Sequence, residues 1–353
     1  MVDAFLNRIA TAVPDNDVHE TFVTHAPSLL SSERDQALLR RMSRKAQIEH
    51  RYSFLSPDAA ASDANVFSFY RRGAYPDTAT RMRFYEQHAF SLARRALDRL
   101  EFAEQRRHVT HLIVTTCTGF YAPGLDLQVI EHYGLNAAVE RTVIGFMGCY
   151  AAINALKMAR HIVRSEPQAR VAILNLELCT IHLQDTDDLE QVLSFLIFAD
   201  GCAACLVSAE PAGFAIDSFL AVVLPDTSPL ITWRIGEKGF DMHLSGKIPG
   251  ELRRGLAAAG NQITQGADIR AIDLWAVHPG GRTILDAVEQ GLELTPEALS
   301  DSRHILLNYG NMSSPSVVFV LERLMQRARP GQLGCAMSFG PGVTAETMLF
   351  HAI

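Results

Sequence analysis

Short apolar runs alternate with amphipathic stretches along most of the chain, which is the pattern of strands and helices in an α/β protein. The first half predicts strands at residues 3–12, 48–55, 110–116, 141–144, 170–176 and 201–208, and helices at 17–30, 33–46, 78–100, from 126, 149–164 and 189–196. The second half predicts strands at 213–223 and 271–277, helices at 249–263, after residue 281 and at 315–329, and a closing hairpin over 335–349.

Two of these helices share an unusual polarity pattern. The helix after Cys149 and the helix after Ser314 are apolar on all sides in their first turns and become charged only near their ends. A helix of this kind begins inside the protein and finishes at the surface. One such helix in each half suggests two duplicated halves, residues 1–212 and 213–353, that place Cys149 and Asn311 near a common centre.

Composition narrows the function classes. The chain has 353 residues, of which 48% are hydrophobic, so it can build a large core. Its net charge of −7 gives no support to nucleic-acid binding. We find neither an apolar run near 18 residues nor a signal peptide, so we expect a soluble cytoplasmic protein with no membrane association.

The six cysteines are scattered and mostly flanked by apolar residues, which is typical of reduced cytosolic thiols. Cys202 and Cys205 form a C-x-x-C motif, for which a zinc or redox role is the functional alternative. However, they lie in a predicted strand, where residues three apart point to opposite faces, and a second cysteine pair is missing. We therefore predict no metal site.

Cys149 lies where a strand passes into a helix N-terminus, in the sequence Gly148-Cys149-Tyr150-Ala151. The preceding β-branched run, residues 141–144, is expected to be a buried strand. Unpaired N–H groups and the helix dipole favour a thiolate at such a position and can lower its pKa from about 8.5. The alternative is a core cysteine beside a glycine turn.

Two further polar residues end predicted elements in small-residue loops. His278 follows a strand in Val277-His278-Pro279-Gly280-Gly281, and Asn311 precedes a helix in Tyr309-Gly310-Asn311-Met312-Ser313. Such loops allow side chains to converge and a substrate to approach the backbone.

These motifs, together with Phe339-Gly340-Pro341-Gly342-Val343-Thr344, resemble the chalcone synthase family, the type III polyketide synthases of the thiolase superfamily. The resemblance implies a thiolase-like α/β fold of two pseudo-duplicated halves in alternating αβαβα layers, and a homodimer. A tryptophan at position 233 resembles the sequences of the bacterial branch of the family.

The resemblance also implies roles for the three residues. Cys149 would take a starter acyl group from coenzyme A as a thioester, and His278 would hold Cys149 as a thiolate. His278 and Asn311 would donate hydrogen bonds to the enolate that forms when malonyl-CoA loses CO₂, each worth about 3 to 4 kcal/mol. Coenzyme A thioesters are then the substrates, and no further cofactor is implied.

By the same resemblance, Phe198 and Met242 occupy the gatekeeper positions, and Met242 replaces a phenylalanine. The other implied pocket residues are Cys117, Cys179, His182, Ser194, Trp233, Ser313 and Ser338, although Cys117 and Cys179 could equally pack in the core. Arg41 and Lys45 match coenzyme A contacts, whereas Leu38 occupies the third basic position, so Arg40 or Arg44 could substitute.

Three alternatives stay open at this stage. A ketoacyl-carrier synthase III-like enzyme would use the same Cys-His-Asn trio, although the Pro-Gly-Gly after His278 argues against it. A C-x-x-C zinc or redox protein would bind metal or form a reversible disulfide. A silent partner subunit would keep the fold without the reaction. The starter, the number of extensions and the mode of ring closure are not determined by the sequence.

Overall fold

The computed structural model describes residues 2–61 and 64–353, without the side chain of residue 261. The strands in this part of the chain are β1 (Phe5–Ala12), β2 (Asn16–Asp17), β3 (Tyr52–Ser53), β4 (His111–Thr116), β5 (Glu140–Gly145), β6 (Val171–Leu178), β7 (Asp200–Ser208), β8 (Phe214–Val223), β9 (Ile231–Gly236), β10 (Gly239–Leu244), β11 (Leu274–Val277), β12 (Leu333–Gly340) and β13 (Thr344–Ala352).

The helices in the same ranges are α1 (His19–His25), α2 (Glu33–Lys45), α3 (Val66–Phe69), α4 (Thr78–Arg99), α5 (Phe102–Gln105), α6 (Leu125–Tyr133), α7 (Ala151–Ser165), α8 (Leu189–Phe195), α9 (Ile248–Ile263), α10 (Arg282–Gly291), α11 (Ser300–Tyr309) and α12 (Pro315–Arg327). None of the helices described is both long and apolar enough to cross a membrane.

Nine strands form one sheet in the order β11-β12-β13-β8-β1-β7-β6-β4-β5. Its two halves meet where β1 pairs with the start of β8 over only two positions, Phe5 with Ala215 and Leu6 with Phe214. Each half contains parallel strands. In the first half β4 pairs in parallel with β5 and with β6, and in the second half β11 pairs in parallel with β12. The two-position junction lets the half-sheets diverge and enclose helices between them.

Three apolar clusters show how the layers pack. The central cluster combines α7 and α12 with strand residues from both half-sheets. The outer clusters pack α4 against the first half-sheet and α9 and α10 against the second. The layers therefore alternate αβαβα, which confirms the predicted fold class.

The central helices are buried where the polarity pattern placed them. Ala151 and Ala152 in α7, and residues 315–321 in α12, have almost no solvent exposure. Pro315 occupies the first turn of α12, where a missing N–H costs no hydrogen bond.

Several expectations are wrong in detail. Strand β5 is an exposed sheet edge, with Val143 50% exposed, because in this single chain only β4 covers one of its sides. The strand expected at residues 48–55 shrinks to β3, because the N–H groups of Glu49 and His50 donate to the Leu307 carbonyl in helix α11 instead of to a neighbouring strand. Helix α11 and the hairpin β9–β10 were not predicted.

Candidate active site

Cys149 lies at the predicted junction between β5 and α7, in a 3₁₀ turn, Gly148–Tyr150, that precedes the helix. Gly148 has φ +74, and a Cβ on it would lie 2.3 Å from Cδ of Pro341. Only glycine permits both this backbone conformation and this close approach. The thiol accepts a hydrogen bond from the Ser313 hydroxyl, with Oγ 3.5 Å from Sγ.

His278 directly follows β11, and its N–H donates to the carbonyl of Met337 on the neighbouring strand, 2.8 Å away. The imidazole is buried, and neither of its ring nitrogens has a hydrogen-bond partner among the described residues. An unpaired buried polar group is rare, because burial without partners is costly, and a role in binding or catalysis is one explanation for it.

Hydrogen bonds from both the backbone and the side chain of Asn311 hold this residue in place. Its N–H donates to the carbonyl of Ile197 and its carbonyl accepts from Ala199, at 2.8 and 2.9 Å. The side-chain Nδ2 donates to the Gly280 carbonyl at 3.2 Å, and Oδ1 accepts from the Ser313 N–H at 2.8 Å. These contacts define the orientation of the carboxamide and leave one Nδ2 hydrogen available.

Cys149, His278 and Asn311 line one cavity of about 830 Å³, measured with its mouth. They come from three separate junctions, one in the first half-sheet and two in the second half of the chain. Apolar side chains form most of the remaining lining, including Phe195, Phe198, Ile231, Trp233, Met242, Leu244, Ile248, Ile284 and Phe339.

Burial shifts the pKa values of the two reactive groups toward their neutral forms. Burial raises the pKa of Cys149 to about 12, although the Ser313 hydrogen bond opposes this shift. Burial also lowers the pKa of His278 to about 3. Burial of both groups therefore opposes the predicted thiolate, and the imidazole makes no hydrogen bond to Sγ that would favour it.

Six of the nine predicted pocket and gatekeeper residues line the cavity: Phe198, Met242, Cys117, Cys179, Trp233 and Ser313. The core-packing alternative for Cys117 and Cys179 is thus replaced by cavity lining. The Trp233 indole N–H donates to the carbonyl of Cys117 at 2.8 Å, so its polar atom is used by the backbone.

His182, Ser194 and Ser338 do not line the cavity. His182 lies behind it, donating from Nε2 to the Thr118 carbonyl and accepting the Phe240 N–H at Nδ1. Ser194 donates to the carbonyl of Glu190 in its own helix. Ser338 is buried on β12 next to the lining residue Phe339, and successive strand residues point to opposite faces.

Two features of the site were missed. Apolar residues alternate over 231–244, and that period of two could have predicted the β9–β10 hairpin that supplies Ile231 and Leu244. Glu177 gave no local signal. It is a buried carboxylate that accepts from the Cys117 N–H, the Thr118 hydroxyl and the Ser314 hydroxyl, and burial raises its pKa to about 7.

The predicted coenzyme A contacts lie on α2, which packs against α8, the helix that carries the cavity residue Phe195. The side chains of Arg40, Arg41, Arg44 and Lys45 are exposed. Within the described chain they form no ion pair or hydrogen bond, so they are available to an anion.

The C-x-x-C alternative fails on geometry. Cys202 belongs to the outer cluster of the first half and Cys205 to the central cluster, on the opposite face of β7. The two thiols point away from each other and cannot hold one ion or form a disulfide without breaking the strand.

A cavity that joins cysteine, histidine and asparagine between two pseudo-duplicated α/β halves defines the class of thiolase-fold condensing enzymes. Within this class, the family models for the chalcone and stilbene synthases match residues 3–211 with the N-terminal domain and 215–353 with the C-terminal domain. The chain belongs to this family, the type III polyketide synthases, which are acyltransferases that carry out decarboxylating condensation.

Individual relatives agree with this assignment. The alpha-pyrone synthesis polyketide synthase-like Pks18 of Mycobacterium tuberculosis is 32% identical over 99% of this chain and 91% of its own length. The crystal structure of PKS-I from the brown alga Ectocarpus siliculosus is 31% identical, with a TM-score of 0.90 over 100% of this chain and 99% of its own. The type III domain of Steely1 from Dictyostelium, 22% identical with a TM-score of 0.89 over 99% of both chains, shares the fold. Family membership decides against the ketoacyl-carrier synthase III alternative.

Proposed function

We propose that Cys149 is the nucleophile that accepts the starter acyl group and that His278 and Asn311 serve both transfer and decarboxylation. The observation that carries this proposal is the single, mainly apolar cavity lined by all three. A neutral imidazole with free ring nitrogens can take the thiol proton when a thioester enters. The resulting thiolate attacks the acyl carbonyl, and coenzyme A leaves with the proton.

Extension then uses malonyl-CoA. When the bond to CO₂ breaks, its electron pair forms an enolate whose charge develops on the thioester oxygen. A His278 N–H and the free hydrogen on Asn311 Nδ2 are the donors for that oxygen, and each is worth about 3 to 4 kcal/mol in the transition state. The carbanion attacks the acyl-Cys149 thioester, and the Cys149 thiolate is released.

The coenzyme A phosphates would bind to the unpaired cations of α2, namely Arg40, Arg41, Arg44 and Lys45, because guanidinium and ammonium groups complement phosphate charge. The enzyme would act in the cytoplasm as a homodimer. An α-pyrone is the product that best fits the similarity to Pks18, and a cyclised phenolic compound is the alternative product.

The test is to incubate the purified protein with a panel of acyl-CoA starters and malonyl-CoA and to identify products by mass spectrometry. We expect pyrone or phenolic products, none from Cys149→Ala, and a loss of malonyl decarboxylation of about 10²- to 10³-fold in Asn311→Ala. Full product formation by Cys149→Ala would show that another group is the nucleophile.

A further inference from the structure

Outside the active cavity, three metal-binding side chains converge at the end of the first half-sheet that lies opposite to Cys149. His111 and Glu140 are the first residues of β4 and β5, and the parallel ladder places them side by side. Glu166 directly follows the last residue of α7. One imidazole nitrogen and one oxygen of each carboxylate all lie within 4.8 Å of one another. These positions have no ligand spacing in the sequence, so only the fold brings them together.

Regular elements hold the backbone at all three positions. His111 lies two residues before Ile113 on β4, so both point to the same face of the sheet, and Ile113 packs against α7 in the central cluster. The Glu140 N–H donates to the Thr110 carbonyl at 2.9 Å. The Glu166 N–H donates to a carbonyl in the last turn of α7 at 2.7 Å. The cluster therefore needs no loop to close around a ligand.

The imidazole of His111 is the group that distinguishes this cluster from an ordinary acidic surface. Its side chain is only 8% exposed, and Nδ1 lies 2.8 Å from the Thr110 hydroxyl. That hydroxyl accepts from the Arg170 N–H at 3.0 Å and donates to the Arg170 carbonyl at 3.2 Å, so its other lone pair faces a hydrogen on Nδ1. Nε2 then carries a lone pair and forms no hydrogen bond within the described chain. Histidines that bind metals have this arrangement, because a polar partner on the other ring nitrogen fixes the tautomer and the ring.

The two carboxylates carry charge that no neighbouring arginine or lysine neutralises among the described residues. Glu140 is 71% exposed and lies 3.6 Å from Nε2 of His111, which is beyond hydrogen-bond distance. Arg141 and Arg170 form ion pairs with other carboxylates. The last carbonyls of α7 add negative potential beside Glu166. This end of the sheet therefore favours a cation.

We propose that His111, Glu140 and Glu166 bind a zinc ion, with water as the fourth ligand, and that this ion clamps the starts of β4 and β5 to the end of α7. Zinc binds nitrogen and carboxylate oxygen at about 2.0 to 2.2 Å, so tetrahedral geometry separates its ligand atoms by about 3.3 to 3.6 Å. The 3.6 Å between His111 Nε2 and Glu140 Oε2 already matches this separation. The exposed side chain of Glu166 closes the remaining distance by changing its rotamer. The clamp is independent of the proposed function.

Calorimetric titration of the metal-free protein with zinc chloride tests the proposal. We expect the wild type to bind one zinc ion per chain that His111→Gln does not bind. The Kd for this ion should rise by at least about 100-fold in Glu166→Gln, and by about 10- to 100-fold in Thr110→Val, which removes the hydroxyl beside Nδ1. Glu104→Gln should bind zinc like the wild type, because Glu104 is an exposed glutamate outside the cluster.

Zinc should also stabilise the folded chain. At a zinc concentration of about 100 times the Kd, the Tm should rise by about 5 °C in the wild type and in Glu104→Gln, but not in Glu166→Gln. Both substitutions change exposed side chains, so they do not disturb the core. Since the thiols of the active cavity could also bind zinc, Cys149→Ala is a further control and should keep both the ion and the rise in Tm.

Three results would overturn the proposal. The first is the absence of zinc binding by the wild type, or equal zinc affinity in the wild type and Glu166→Gln. The second is loss of the ion in Cys149→Ala, which would place it in the active cavity. The third is magnesium binding as tight as that of zinc and unchanged in His111→Gln, because magnesium prefers oxygen ligands and such binding would need only the acidic side chains.

Discussion

Two buried histidines of this protein show how hydrogen bonding separates a structural residue from a reactive one. His182 satisfies both ring nitrogens as a neutral imidazole, with Nε2 on the Thr118 carbonyl and Nδ1 on the Phe240 N–H. His278 is equally buried but satisfies neither nitrogen. Both histidines are predicted site residues. Only their hydrogen-bond partners distinguish a structural imidazole from one that is free to contact substrate.

The satisfied imidazole makes stability depend on pH. Burial lowers the pKa of His182 to about 3, against about 6.5 in an unfolded chain. Above pH 6.5 both states are neutral and His182 has no pH effect. As the pH falls below 6.5, the unfolded state binds a proton that the folded state excludes, so stability is lost until about pH 3.

We expect His182 to account for about 2 kcal/mol of the stability lost between pH 7 and pH 5. His182→Gln should therefore be less stable at pH 7, but its loss on acidification should be smaller than that of wild type by this amount. Urea unfolding at the two pH values measures the difference, with exposed His108→Gln as the control. An unchanged loss in His182→Gln would contradict the assignment.

At the scale of elements, the turn that presents Cys149 depends on contact with a distant turn. Gly148 lies against the ring of Pro341, which follows β12 in the other half of the chain. The preference of glycine for a strand-to-helix turn is local. A side chain is excluded at position 148 because Pro341, from the opposite half of the chain, occupies the space.

Gly148→Ala should cost more than backbone strain alone and should misplace Cys149. Gly134 provides a matched control, since it has φ +61 but a Cβ added there would meet no atom within 4 Å. We expect Gly134→Ala to lose about 1 to 2 kcal/mol with normal activity. Gly148→Ala should lose more stability and at least tenfold in kcat, as measured by urea unfolding and product formation. Equal effects of both substitutions would show that the Pro341 contact has no role.

At the scale of the whole molecule, the exposed edge at β5 is the feature least expected from its sequence. Long unpaired edges with apolar side chains are uncommon in monomers, because they invite pairing with another chain. Val143 is exposed on this edge, and Phe120 and Met147 nearby are also exposed. This surface supports the proposed homodimer, in which a second copy would cover the strand that precedes Cys149.

If β5 forms the dimer contact, Val143→Glu should convert a dimer of the 38.9 kDa chain into monomers. Burying an unpaired carboxylate in an apolar interface is strongly unfavourable. Light scattering after size-exclusion chromatography measures the mass. Val223→Glu, at a β8 residue that is 65% exposed, should leave the mass unchanged. A wild-type monomer, or a dimer that persists in Val143→Glu, would count against this interface.

Local sequence patterns predicted most of the strands and helices in their order, the buried starts of α7 and α12, and the junctions that carry Cys149, His278 and Asn311, but they missed α11 and the β9–β10 hairpin. These features follow from local periodicity and from turn chemistry, which neighbouring residues encode. Tertiary packing alone makes β5 a sheet edge, leaves Ser338 out of the cavity lining, and buries Cys149 and His278 so that their neutral forms are favoured. The exposure of a residue, the direction of its side chain and its ionisation depend on which distant segments exclude water from it. No single stretch of the chain contains that information.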